Sequence, residues 1–242
     1  IYHGIIWRQE KMRSEIIDDS WVDVKPFWEY MNPEGIKTAI IDVPLLPKSP
    51  RVEKGLHISG WQSHDRVIKQ SWPQKLWSQL ESEFGSPAMP EEREMGGRQT
   101  VKKLEKSREE ILSSVRQIGD IGGDLFAREH WDLFFLVLGA PHRAGHLFWN
   151  TSQLNTKGVP DKKLKKIRNT ILEVYQACDK VIGDLVKKAP DGTRIMVFAN
   201  HGMGTNPGWQ NYLDQMIEKI DQNKDKESSR RGLLQTVEGF LP

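Results

Sequence analysis

Apolar positions gather in three short runs along this chain, and a long amphipathic stretch separates the last two. Residues 133–138, LFFLVL, have no polar interruption. Bounded by Asp132 and by Gly139 with Pro141, they predict a strand covered on both faces, as in a parallel sheet. Residues 36–45, IKTAIIDVPL, predict a second strand with Asp42 and Pro44 at its exit. It follows a helical stretch, DVKPFWEYMNPEG, that stops at Pro33 and Gly35. Residues 193–199 predict a third strand, which leads into Asn200 and His201. Between the last two, Leu164, Ile167, Ile171, Val174, Tyr175, Cys178, Ile182 and Leu185 repeat at helical spacing until Pro190. A strand, a long helix and a strand make a crossover whose two strands run parallel.

Leu104, Ile111, Leu112, Val115 and Ile118 predict a further helix over residues 99–130, with Gly119, Gly122 and Gly123 expected to break it. Residues 55–98 are rich in Trp, Ser, Pro and Gly and contain GLHISGWQSHDR. They are expected to form a loop-rich cap or active-site rim. The predicted fold is therefore a single α/β domain over residues 1–242, with a mostly parallel central sheet, helices on both faces and a cap insertion. The opening, IYHGIIWRQEKMRSE, has no initiator Met and the end, LLQTVEGFLP, has no closing signal, so the domain is expected to be incomplete at both ends.

Composition narrows the function classes. The 242 residues are 37% hydrophobic and 28% charged, which fits a sizeable globular core. With 35 basic and 33 acidic residues the net charge is +2, too small a field to favour a nucleic-acid polymer or a membrane surface. The single cysteine, Cys178, excludes an internal disulfide and a cysteine zinc cluster. No apolar run is long enough to span a bilayer and no secretory signal opens the chain, which favours a soluble, cytoplasmic setting. Nothing bears on oligomeric state.

Candidate chemistry sits at the strand exits. His142 and His146, spaced i and i+4, follow the LFFLVL run, and His201 follows the third run. If the two strands are neighbours, all three imidazoles emerge at one edge. Open α/β sheets bind ligands outside the carboxyl ends of their strands, and imidazoles held together can bind a divalent metal. His64 and Asp65 either touch a substrate or cap a turn. Asp179 reads as a structural residue of the long helix, and His3 and His57 as ordinary polar positions. Asn150, Thr151 and Ser152 form a sequon that reads as chance.

FWEYMNPEGIKTAIIDVPL, GLHISGWQSHD, WDLFFLVLGAPHRAGHLFW and VFANHGMG occur in an order and spacing that resemble the type I phosphodiesterase/nucleotide pyrophosphatase branch of the alkaline phosphatase superfamily. The resemblance implies a metal-dependent hydrolase of small-molecule phosphate esters. It would carry two divalent ions, zinc or alternatively manganese, and a Thr or Ser nucleophile located upstream of Ile1. His146 matches the metal-binding His of the family's first loop, and His142 stands where many members have Asp. His201 matches the His of the second turn.

Asn200 stands where the family has Asp, exchanging a carboxylate for an amide that is a poor zinc ligand. Ala140, Asn150 and Asn211 also depart from the family pattern. These departures leave room for a degenerate, non-catalytic member that binds a phosphorylated ligand. A sulfatase or phosphomutase of the same superfamily and an unrelated α/β binding module are further alternatives.

Overall fold

The computed structural model describes residues 5–16, 25–31, 34–44, 52, 54–62, 69–89, 99–152, 154–199, 201–204, 216 and 219–220. Strands β1 (Ile5–Arg8) and β2 (Arg13–Ile16) form an antiparallel hairpin. The central sheet has four strands in the order β5-β4-β3-β6: β3 (Thr38–Ile41), β4 (Gly55–Ser59), β5 (Gln70–Trp72) and β6 (Leu133–Leu136). β3 pairs in parallel with β4 on one side and β6 on the other, and β5 is the antiparallel edge. The central position of β3 explains its TAII run, every residue of which is buried.

The helices are α1 (Phe27–Met31), α2 (Lys75–Phe84), α3 (Val101–Arg128), α4 (Ala140–Phe148) and α5 (Asp161–Lys188). The Thr100 side chain accepts the Lys103 amide at 3.2 Å and so caps the start of α3. One stripe of α3 serves two cores. Leu104, Ile111, Leu112 and Val115 pack with Ala144, Leu147, Ile167, Val174 and Cys178 of α4 and α5. Ile118, Ile121 and Leu125 pack with Ala39, Ile41, Leu56 and Ile58 of the sheet. Each such buried Leu or Ile contributes about 1.5–3 kcal/mol. Arg108 of α3 also pairs with Glu173 of α5, and Lys163 with Glu105 at 3.2 Å. On the opposite face of the sheet Trp28 and Phe27 of α1 lie against Phe135.

Three expectations are corrected. The α3 helix runs unbroken through Gly119, Gly122 and Gly123. A Cβ at Gly119 would meet Val181 Cγ2 of α5 at 2.6 Å, and one at Gly122 would meet Leu136 Cδ2 of β6 at 3.2 Å. The glycines admit close neighbours rather than end the helix. Residues 55–59, expected as part of a loop-rich rim, form an inner strand of the sheet, and residues 70–72 and 75–84 are ordered as β5 and α2. Residues 193–199, expected as a parallel strand beside β6, are not part of any ladder among the described residues. Met196 is 82% exposed and Val197 67%, although the Phe198 ring stacks on Phe135 with centroids 6.2 Å apart. Strand propensity is realised through pairing and burial, and this run is exposed and has no strand partner among the described residues.

Candidate metal site at the carboxyl edge of the sheet

β6 ends at Leu136, and Gly139 and Pro141 turn the chain into α4, where a proline is tolerated because first-turn amides lack helical acceptors. The histidine segment, expected as a loop, is thus a helix. Its i, i+4 spacing places His142 and His146 on one face. Their Nε2 atoms are 3.1 Å apart and their ring centroids 4.6 Å apart, with an interplanar angle of 83°. The His201 ring approaches His142 with centroids 5.4 Å apart. The structure therefore brings His142, His146 and His201 together at the carboxyl edge of the sheet.

His201 Nδ1 lies 3.1 Å from the Gly202 carbonyl oxygen. A carbonyl can only accept, so in this contact Nδ1 is the donor. Metal-ligating histidines are commonly oriented in this way. Met203 closes against α4, with its Cε 2.8 Å from where a Gly145 Cβ would lie.

The donor set can be tested against a metal ion. Two nitrogens bound to one tetrahedral zinc at about 2.0–2.1 Å stand roughly 3.3–3.4 Å apart. The 3.1 Å separation of the His142 and His146 Nε2 atoms is close to that, so the pair fits two ligands of a single ion. No group of three or more His, Cys, Asp or Glu side chains suited to a metal occurs among the described residues. The fit is that of a two-imidazole partial site with a third imidazole beside it. Asn200, His64, Asp65, Asn211 and His3 lie outside the described residues. Asp179 is exposed on α5. His57 is 1% exposed in β4, at the sheet's interior rather than its edge.

Behind the histidines lies a network that motif reading left without a role. Asp42, just past β3, has a left-handed backbone (φ 58°) and is 1% exposed. Its carboxylate accepts the backbone amides of Trp61 at 2.8 Å and Gln62 at 2.7 Å. Gln62 in turn accepts the Gly139 amide at 3.0 Å and donates to Ser114 Oγ at 3.2 Å. The carboxyl ends of β3, β4 and β6 are thus tied together directly beneath α4. The available signal was Asp42 at a strand exit and Gln62 within GWQSHD.

The imidazoles thus gather outside the carboxyl ends of the strands of an open α/β sheet, where such sheets bind their ligands. The family model for type I phosphodiesterase / nucleotide pyrophosphatase matches residues 3–238, and the chain belongs to that family, within the alkaline phosphatase superfamily. No curated protein and no solved structure matches it. The family suggests phosphodiesterase or nucleotide pyrophosphatase activity on small phosphate esters, generally with divalent metals. No described helix is long and apolar enough to cross a membrane.

Proposed function

We propose that this chain carries part of the metal centre of a phosphoric ester hydrolase, with His142 and His146 as two ligands of one divalent ion. His201, with Asn200 beside it, contributes to a second. The observation that carries the reading is the 3.1 Å approach of two imidazole nitrogens on one helix face, in a chain of this family. A bound divalent ion supplies Lewis-acid stabilisation to a phosphoryl oxygen and lowers the pKa of a coordinated nucleophile. The chain's own part is to hold the imidazole rings close together. α4 does this for His142 and His146, and His201 Nδ1 donates to the Gly202 carbonyl. On this reading the Thr or Ser nucleophile lies upstream of Ile1, zinc or manganese is the metal, and His64 and Asp65 lie towards the substrate.

The same 3.1 Å also satisfies an Nε2–H···Nε2 hydrogen bond, which is the second reading. Titration with Co2+, followed by its visible absorption, separates the two. The wild-type chain is expected to bind with a tetrahedral spectrum that His142→Ala and His146→Ala each abolish. A protein extended upstream of Ile1 is expected to hydrolyse bis(4-nitrophenyl) phosphate with added zinc or manganese, and the chain alone is not. Absence of Co2+ binding by the wild type, or binding indifferent to both substitutions, refutes the metal reading.

A further inference from the structure

The geometry points to Gln62 as a positioning residue that sets the His142/His146 pair by holding the amide from which α4 springs, an inference that rests on the metal reading above. The helix begins at Ala140, one residue after Gly139. The Gly139 carbonyl accepts the Arg143 amide at 3.4 Å in the first turn, so the Gly139 residue is the junction between the strand exit and the helix. Gln62 fixes that junction through its Oε1, which accepts the Gly139 amide at 3.0 Å. Its Cβ and carbonyl oxygen lie beside Gly139, 3.4 and 3.5 Å from where a Cβ on that glycine would be, which is ordinary van der Waals contact.

Gln62 is well anchored for this task. It is 1% exposed, its amide is held by Asp42 at 2.7 Å, and its side-chain nitrogen reaches Ser114 of α3 at 3.2 Å. Strand β3, through Asp42, and helix α3, through Ser114, thereby position a side chain whose output is the starting point of α4. The donors lie three and seven residues further along a rigid helix, so a shift at Gly139 reaches both imidazoles together. A neighbouring amide, Gln117, gives a contrast. It accepts from Trp61 Nε1 and the Ala88 amide, donates to the Phe84, Gly85 and Ser86 carbonyls, and has no bond to Gly139.

The test is Co2+ and Zn2+ affinity by calorimetric titration, with thermal unfolding of the metal-free chains measured alongside. Gln62→Leu is expected to weaken binding about tenfold, the lower end of what outer-shell partners contribute. Gln62→Glu keeps an acceptor for the Gly139 amide and is expected to recover most of the affinity. Gln117→Leu is expected to lower the melting temperature while leaving the affinity at the wild-type value. Should Gln62→Leu fail to fold, Gln62→Glu and Gln62→Met carry the comparison, with only the glutamate near wild type. Equal affinity in the Leu or Met and Glu variants overturns the positioning role, as does a comparable loss in Gln117→Leu. A wild-type chain that binds neither metal overturns the metal reading, and the positioning role with it.

Discussion

His57 provides an internal pH probe of the central sheet. It pairs with Ile40 of β3 and Trp72 of β5, and strand alternation turns it to the face away from Leu56 and Ile58. It is 1% exposed, and its Nε2 has no hydrogen-bond partner among the described residues. Burial disfavours the imidazolium and lowers the pKa from 6.5 to about 4. Because the folded-state value lies below the unfolded one, stability is unaffected above pH 6.5. It falls as the unfolded chain takes up the proton first, and the loss saturates below pH 4. From those two values the loss is about 2–3 kcal/mol at pH 4.5 relative to pH 7.5. His57→Leu removes the titration and an unsatisfied nitrogen together, so near pH 7.5 the variant is expected within about 1 kcal/mol of wild type. Urea unfolding followed by tryptophan fluorescence at both pH values measures the difference between the two proteins, which cancels the other titrating groups. Parallel stability curves for wild type and His57→Leu between pH 7.5 and 4.5 would show that His57 is not neutral and buried in the fold.

Two glycine substitutions test the packing. A Cβ at Gly55 (φ +146°) would lie 1.9 Å from the Thr38 carbonyl oxygen on the paired strand, so Gly55→Ala has to part β3 from β4. A loss of more than about 3 kcal/mol in urea unfolding is expected, and a loss below 1 kcal/mol would contradict the β3–β4 register. At Gly119 the clash is with a side chain, Val181 Cγ2 at 2.6 Å. Gly119→Ala is expected to cost about 1–3 kcal/mol, and a smaller cost in the Val181→Ala background would give a favourable coupling energy. Additive losses in that cycle would deny the contact.

What could be read from the chain followed the strength of the local pattern. The TAII run is a strand because β3 is central and buried on both faces, which is what continuous apolarity suits. LFFL, equally apolar, pairs with β3 from the edge of the described sheet and is only half-buried rather than covered on both faces. The long helix from Asp161 was legible because its apolar spacing is regular and Pro190 stops it. The glycines of α3 misled because a glycine in a helical pattern has two meanings, a break or a close approach. Only the partner, Val181 or Leu136, decides between them. GLHIS was hidden for a related reason: a glycine, a histidine and a serine dilute the apolar signal, although four of its five residues are buried.

The site divides along the same line. The three histidines were legible because imidazoles are chemically distinctive, and the structure gathers their rings, although the run before His201 is in no strand ladder among the described residues. The residues that hold them were not, because a glutamine within GWQSHD and an aspartate after a strand are ordinary in sequence. They gain meaning only from contacts 20 and 77 positions apart, Gln62 to Asp42 and Gly139 to Gln62. This bears on how Asn200 should be weighed. On the metal reading proposed above, an amide at residue 200 would bring no charge to an ion held at His201. The start of α4, which carries His142 and His146, is tied to Gly139, Gln62 and Asp42 by hydrogen bonds among the described residues. On that same reading, loss of Co2+ binding in His142→Ala and His146→Ala is therefore the property that tests this pair separately from any ion at His201.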